Sequence, residues 1–222
     1  MAKVITGSLG GSMSDTSYNR RKLFSFLGLV PLAIYVVCHL AAQAQSWVGE
    51  EHYSRNQEEW HRNPYYWPIV TVLIYFPILY HAAYGLYLSF KGRPNLTTMP
   101  FFVNFKYLIQ RVTAIGLLLF IPAHVYKTRI EVTMQQGRIW DHMVEGFHEP
   151  LTLGIYILCM LAMAFHIANG FWLGGITWGI TISRKSQRAW QALSIGIFVL
   201  LSAMAGLAIA GFARVPMVTG HF

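Results

Sequence analysis

Four of the nine histidines in this 222-residue chain, His39, His81, His124 and His166, lie inside long apolar runs. A residue that can ionise is costly at membrane depth, so it usually faces a bundle interior with a partner. An imidazole in that setting can ligate a metal, hydrogen-bond a neighbour or relay a proton. All nine carboxylates fall outside the apolar runs, which weakens a proton relay. No Asp or Glu accompanies the histidines at depth, which disfavours zinc. A hydrogen-bonding core role and two imidazoles on opposite sides of a porphyrin iron remain, and the second predicts ligands in pairs.

The elements that must position these side chains are long helices. Charge-free windows run 23–49, 63–90, 112–126, 150–183 and 189–213. A bilayer core about 30 Å thick needs roughly 20 apolar residues of helix. Four windows meet that length; the third is short, but Arg111 and Lys127 at its ends can snorkel to the headgroups. The expected fold is therefore all-α, an integral bundle of five transmembrane helices. Their ranges are about 23–44, 67–90, 107–126, 151–172 and 189–212, and the fourth can extend through Ile176–Ile182. A polar segment over 1–20 precedes the membrane domain (21–213), and a short tail over 214–222 follows it. Segment 130–148 is polar and reads as a short surface helix.

Depth sorts the histidines. His39 lies roughly 27 Å along its helix from Arg21, and His124 roughly 20 Å from Arg111. The second and fourth helices run the opposite way, with His81 roughly 20 Å from Pro68 and His166 roughly 25 Å from Glu149. The quartet thus falls into two couples at matching depths, His39 with His124 and His81 with His166. Glycines sit beside them. His81-Ala-Ala-Tyr-Gly85 and His166-Ile-Ala-Asn-Gly170 share a His-x-Ala-x-Gly pattern, and a residue four positions on shares the helix face. Gly28, eleven before His39, and Gly116, eight before His124, fall at the depth of the other couple. A missing side chain at each of the four leaves room for a flat macrocycle.

The formal charge of +8 invites a nucleic-acid reading, but its distribution does not. Segments 1–22, 91–111 and 184–188 carry eleven of the seventeen basic residues and a single acid, Asp15. The opposite segments hold the other six and eight of the nine acids. This positive-inside asymmetry predicts a cytoplasmic N-terminus and a C-terminus on the outer side. The basic residues are spread over membrane-proximal loops and suit lipid headgroups, not nucleic acid. Cys38 and Cys159 both lie in apolar spans and read as packing residues; no Cys-x-x-Cys-His motif occurs, so covalent haem attachment is not expected. Residues 1–19 are polar, and the first apolar run has no small-residue cleavage site before it is long enough to span. It is expected as a retained helix.

Over residues 20–212 the chain resembles the five-helix, dihaem cytochrome b anchor subunit of succinate dehydrogenase/fumarate reductase (complex II). The type is the single-anchor one of many menaquinone-using bacteria. The resemblance rests on Arg21-Lys-Leu-Phe-Ser-Phe-Leu-Gly-Leu-Val-Pro31 leading to His39 and on Phe76-Pro-Ile-Leu-Tyr-His-Ala-Ala-Tyr-Gly-Leu-Tyr87. It continues through Gln110-Arg-Val-Thr-Ala-Ile-Gly116 leading to His124, Phe165-His-Ile-Ala-Asn-Gly170, and Ile176-Thr-Trp-Gly-Ile180. It implies two haem b groups, the distal one on His39 and His124 and the proximal one on His81 and His166. It implies a flavoprotein subunit and an iron–sulfur subunit docked on the cytoplasmic face of a bacterial inner membrane. It further implies electron exchange with a quinone, menaquinone in particular, while the dicarboxylate site belongs to a partner. Where such proteins carry a carboxylate two residues before the fourth histidine, this chain has Ala164, which argues against a transmembrane proton path there.

Arg111, with Arg21 and Lys22, stands at inner helix ends, where both propionate pairing and simple membrane anchoring fit. Lys127 and Arg129 stand similarly at outer ends. Glu50, Glu51, His52, Glu58, Glu59, His61 and Tyr65 are candidates for quinone protonation by location. Pro31, Pro77 and Pro122 are expected to kink their helices. A nitrate-reductase-type gamma subunit also holds two b haems, but the fifth helix here has no histidine. A transporter should show repeats, broken helices and midplane charge, none of which is evident.

Overall fold

A computed structural model describes residues 11–91 and 102–216, with side chains from residue 17 onward in the first stretch and from residue 104 in the second. Lys3, Gly92, Arg93, Pro94 and most of the C-terminal tail lie outside the described residues. Among the described residues every regular element is helical. Five helices are long and apolar enough to cross a bilayer: α1 (Ser17–Trp47), α3 (Tyr66–Lys91), α4 (Asn104–Met134), α6 (Pro150–Thr177) and α7 (Arg184–Ala213). Two amphipathic helices, α2 (Glu50–Arg62) and α5 (Ile139–His148), lie together across one end of the bundle.

Local chemistry explains the helix ends. Glu149 caps α6 by accepting from the Leu151 and Thr152 amides at 3.1 and 2.5 Å, and Pro150 takes the first turn, where its missing N–H costs nothing. The Thr152 amide holds the Glu149 carboxyl below its ordinary pKa. At the far end of α6, Gly179 adopts φ +70°. Its amide bonds the Ile176 carbonyl at 3.1 Å, and the Ile180 amide bonds that of Gly175 at 2.9 Å. This Schellman closure stops α6 at Thr177, beyond the expected Trp172 and short of Ile182. Ser183 and Ser186 form a reciprocal capping box that opens α7.

The third span departs most from its expected range. It continues past Tyr126 through a wider turn at Tyr126–Glu131 to Met134. Lys127 pairs with Glu131 at 3.0 Å within that extension. Residues 130–134 therefore belong to α4, and the surface helix is confined to Ile139–His148. No helix is evident in the sequence over 50–62, yet α2 forms there, with Glu50 and Glu51 in its first turn and His61 and Arg62 in its last. That charge order suits the helix dipole. Wider turns also occur at Gly28–Leu32, which contains Pro31, and at Thr71–Tyr75, just before Phe76-Pro77. Pro77 has no N–H for the Leu73 carbonyl within that turn.

Packing relies on small residues and a few buried hydroxyls, as it must where lipid competes for apolar contact. Leu40, Leu117, Met163, Ala164, Leu201 and Ala205 form the mid-bundle core. Tyr53, Trp140, Met143, Val144, Phe147 and Phe212 form a second core beneath α2 and α5. The Ser46 hydroxyl donates to the Ala208 carbonyl at 3.0 Å and Ser194 to Ala168 at 2.6 Å. A Cβ on Gly211 would lie 2.6 Å from the Trp47 amide nitrogen and 2.7 Å from the Ser46 carbonyl carbon, neither of which can swing away. Gly211→Leu is therefore expected to destabilise the detergent-solubilised protein by about 3 kcal/mol or more, the upper range for overpacking. Gly206→Leu, whose added Cβ meets nothing within 4 Å, should melt close to the parent in the same thermal assay.

Candidate functional site

The four intramembrane histidines come from α1, α3, α4 and α6 and meet in two couples. His39 of α1 faces His124 of α4, with ring centroids 6.1 Å apart and planes at 80°. His81 of α3 faces His166 of α6 at 6.3 Å and 82°. The first couple lies toward the end that carries α2 and α5, and the second toward the opposite end. Along α1, Gly28 lies against His81 while His39 follows eleven residues later, so the couples are separated by about 16 Å of helix rise. Leu117 and Ala164 of the mid-bundle core lie between those depths.

Separation and donor count test what these couples can hold. Two trans metal–imidazole bonds of roughly 2 Å, plus the size of the rings, put centroids about 6 Å apart. Both couples meet that spacing. Among the described residues no three His, Cys, Asp or Glu side chains converge on one point. Each couple can therefore supply two axial nitrogens to an ion whose other ligands come with it, as in a haem.

Neighbours orient the rings. His81 Nδ1 is 3.1 Å from the Phe24 carbonyl, and the Phe24 ring stacks on the imidazole at 4.2 Å and 7°. Such a carbonyl can only accept, so Nδ1 carries the proton and Nε2 keeps its lone pair for a metal. His124 Nδ1 lies 3.0 Å from the Tyr156 hydroxyl. His166 Nδ1 lies 3.4 Å from the Thr113 hydroxyl, which also contacts the Ile109 carbonyl at 2.8 Å. His39 stacks on Tyr35 at 5.4 Å. Phe24, Thr113 and Tyr156 carry no sequence signal of this role, because each is an ordinary helix residue far along the chain from the histidine it holds.

The four glycines differ in what they face. A Cβ on Gly28 would lie 2.5 Å from Cε1 of His81, so the room there is taken by the imidazole itself. At Gly85 the Phe24 ring edge comes within 3.2 Å of the same position, and at Gly170 the Gln110 amide nitrogen lies 4.0 Å away. Gly116 faces open space.

Charged candidates lie nearer the ends. Arg111 donates to the Leu88 carbonyl at 3.3 Å and lies over the Tyr107 ring, close to the α3 end beyond His81. Lys22 lies over Tyr18 and Trp178. Arg129 contacts His61 Nε2 at 3.2 Å and lies over Trp67. Burial lowers the His61 pKa, and the Arg129 charge lowers it further against the Gln57 carbonyl, which raises it. Glu50 pairs with Arg138, Glu58 with Arg62, and His52 contacts Arg55. Tyr65 is exposed. The structure thus brings His61 to Arg129 but disperses Glu50, Glu51, His52, Glu58 and Glu59 over the surface of α2.

The description of a succinate dehydrogenase/fumarate reductase transmembrane subunit family matches residues 104–205, which run from α4 into α7. The succinate dehydrogenase cytochrome b558 subunit of Bacillus subtilis (strain 168) is 34% identical over 192 residues, covering 86% of this chain and 95% of that protein. With five spanning helices and two facing imidazole couples, the chain belongs to the succinate dehydrogenase/fumarate reductase transmembrane subunit family.

Proposed function

We propose that this membrane anchor holds two haem b groups and passes electrons between the iron–sulfur clusters of a partner subunit and a membrane quinone, menaquinone in particular. The single observation that carries this reading is the pair of imidazole couples at trans-axial spacing, 6.1 and 6.3 Å. A haem bound between each couple would supply one-electron redox chemistry. The chain's own residues then have defined tasks. His39 and His124 would hold the haem toward the α2–α5 end, and His81 and His166 the other. The Phe24 carbonyl keeps Nδ1 of His81 protonated, and the hydroxyl oxygens of Thr113 and Tyr156 can accept from Nδ1 of His166 and His124, which would leave each Nε2 for a metal. The mid-bundle core keeps water out between the two depths. Ala164, fully buried in it, leaves no carboxylate on that path.

The partners are a flavoprotein, which carries out the dicarboxylate chemistry, and an iron–sulfur subunit. Basic-residue asymmetry supports their docking on the cytoplasmic face, at the end where α1 begins and α3 and α6 finish. Quinone exchange then falls at the opposite end, where protons are available from the α2 side. Arg111 is suited to a propionate of the haem held by His81 and His166. Haem quantitation on the purified complex tests the reading: two non-covalent b haems per chain are expected, with two flanking soluble subunits and succinate or fumarate activity. One haem per chain, or none, would overturn it.

A further inference from the structure

Tyr156 of α6 is placed by two neighbouring helices at once. Its ring meets Phe120 of α4 edge-on at 5.2 Å and Phe147 of α5 at 4.9 Å and 90°. Phe147 belongs to the aromatic core that joins α2, α5 and the end of α7. Phe120 also stacks on His124 at 5.5 Å and 21°. The phenol is thereby aimed at one atom, His124 Nδ1, at 3.0 Å. The corresponding contact in the other couple is of two different kinds: a backbone carbonyl for His81 and a longer 3.4 Å contact to Thr113 for His166.

We infer that Tyr156 is a positioning residue that sets the ring plane and electron donation of His124, and through it the redox potential of the haem at the α2–α5 end. The inference rests on the dihaem reading above. With Nε2 on iron, the Nδ1 proton is the only one a neutral imidazole has, so His124 donates and the phenol oxygen accepts. A hydrogen bond from Nδ1–H raises the basicity of the ligand and fixes its orientation, and loss of such a partner typically costs about 10- to 100-fold in metal affinity or activity. A more basic imidazole favours the ferric ion. Removing the acceptor therefore favours the ferrous ion and raises the potential. The α5 helix gains a task from this. By packing Phe147 on the phenol it holds the register of the ligand beneath it.

The test is a redox titration of the purified complex carrying Tyr156→Phe, which keeps the ring and its aromatic contacts. The haem bound by His39 and His124, identified by its loss in His39→Ala, should shift upward by about tenfold in its ferric–ferrous equilibrium, about 59 mV for one electron. Its low-spin electron paramagnetic resonance signal should move as the ring plane relaxes. The haem of His81 and His166 should keep both its potential and its signal. Site-specific 3-fluorotyrosine at position 156, a weaker acceptor of nearly the same volume, should shift the same haem the same way by less. An unmoved potential and signal, in either variant with both haems bound, overturns the role of Tyr156. A parent protein without two haems overturns the dihaem reading instead, so the two failures are distinguishable.

Discussion

Alanine at His81 or at His166 is expected to leave one haem per chain in place of the two proposed for the parent, and the two variants should lose the same haem. His39→Ala and His124→Ala should lose the other. The argument is geometric. Each couple offers two imidazoles across a gap that fits a haem, and truncating one would leave a haem bound there with a single protein ligand. Nothing of the same chemistry stands near enough to substitute, since no third His, Cys, Asp or Glu joins either couple among the described residues. Reduced-minus-oxidised spectra of the four variants should therefore fall into two classes of two. A different grouping, such as His39 with His81, would refute the pairing even if the haem count stood.

Gly28→Val should reproduce the spectrum of His81→Ala although no ligand has been touched. A Cβ there would lie 2.5 Å from Cε1 and 2.8 Å from Nδ1 of His81. The ring cannot step aside cheaply. It is stacked on Phe24 on one side and bound to the Phe24 carbonyl through Nδ1, so movement gives up both the stack and the proton acceptor. Overpacking of this kind costs about 1–3 kcal/mol, and here the strain falls on His81, a proposed haem ligand. The expected product is a folded protein with the His39–His124 haem intact and the other absent or high-spin. Gly196→Val, where an added Cβ meets nothing within 4 Å, is the matched control. Two normal haems in Gly28→Val would show that α1 and α3 have slack at this contact.

The spans and the couples were legible in the chain for a simple reason. Bilayer thickness converts residue count into depth, and an ionisable residue inside a hydrophobic run stands out against it. Arithmetic on helix rise alone therefore grouped His39 with His124 and His81 with His166, the same couples that the folded chain brings within 6.1 and 6.3 Å. The α2 helix was not legible, because its polar residues resemble a solvated loop until Tyr53 is seen 1% exposed beneath it. The extension of α4 was hidden likewise. Lys127 and Arg129 look like a terminus, yet the helix carries them onward, with Lys127 paired to Glu131 one turn on and Arg129 meeting His61.

What the amino-acid order alone determined was the one-dimensional part: five spans, their alternating direction, and four intramembrane histidines with their depths. Hydrophobicity and helix rise act residue by residue, so they can be read without neighbours. The tertiary structure decided everything that depends on rotation about a helix axis and on partners distant in the chain. It set Gly28 against an imidazole, gave Phe24, Thr113 and Tyr156 to three Nδ1 atoms, and put Arg129 on His61. Those contacts join residues 53 to 68 positions apart for the most part. Only the packing of whole helices against one another can bring such residues together.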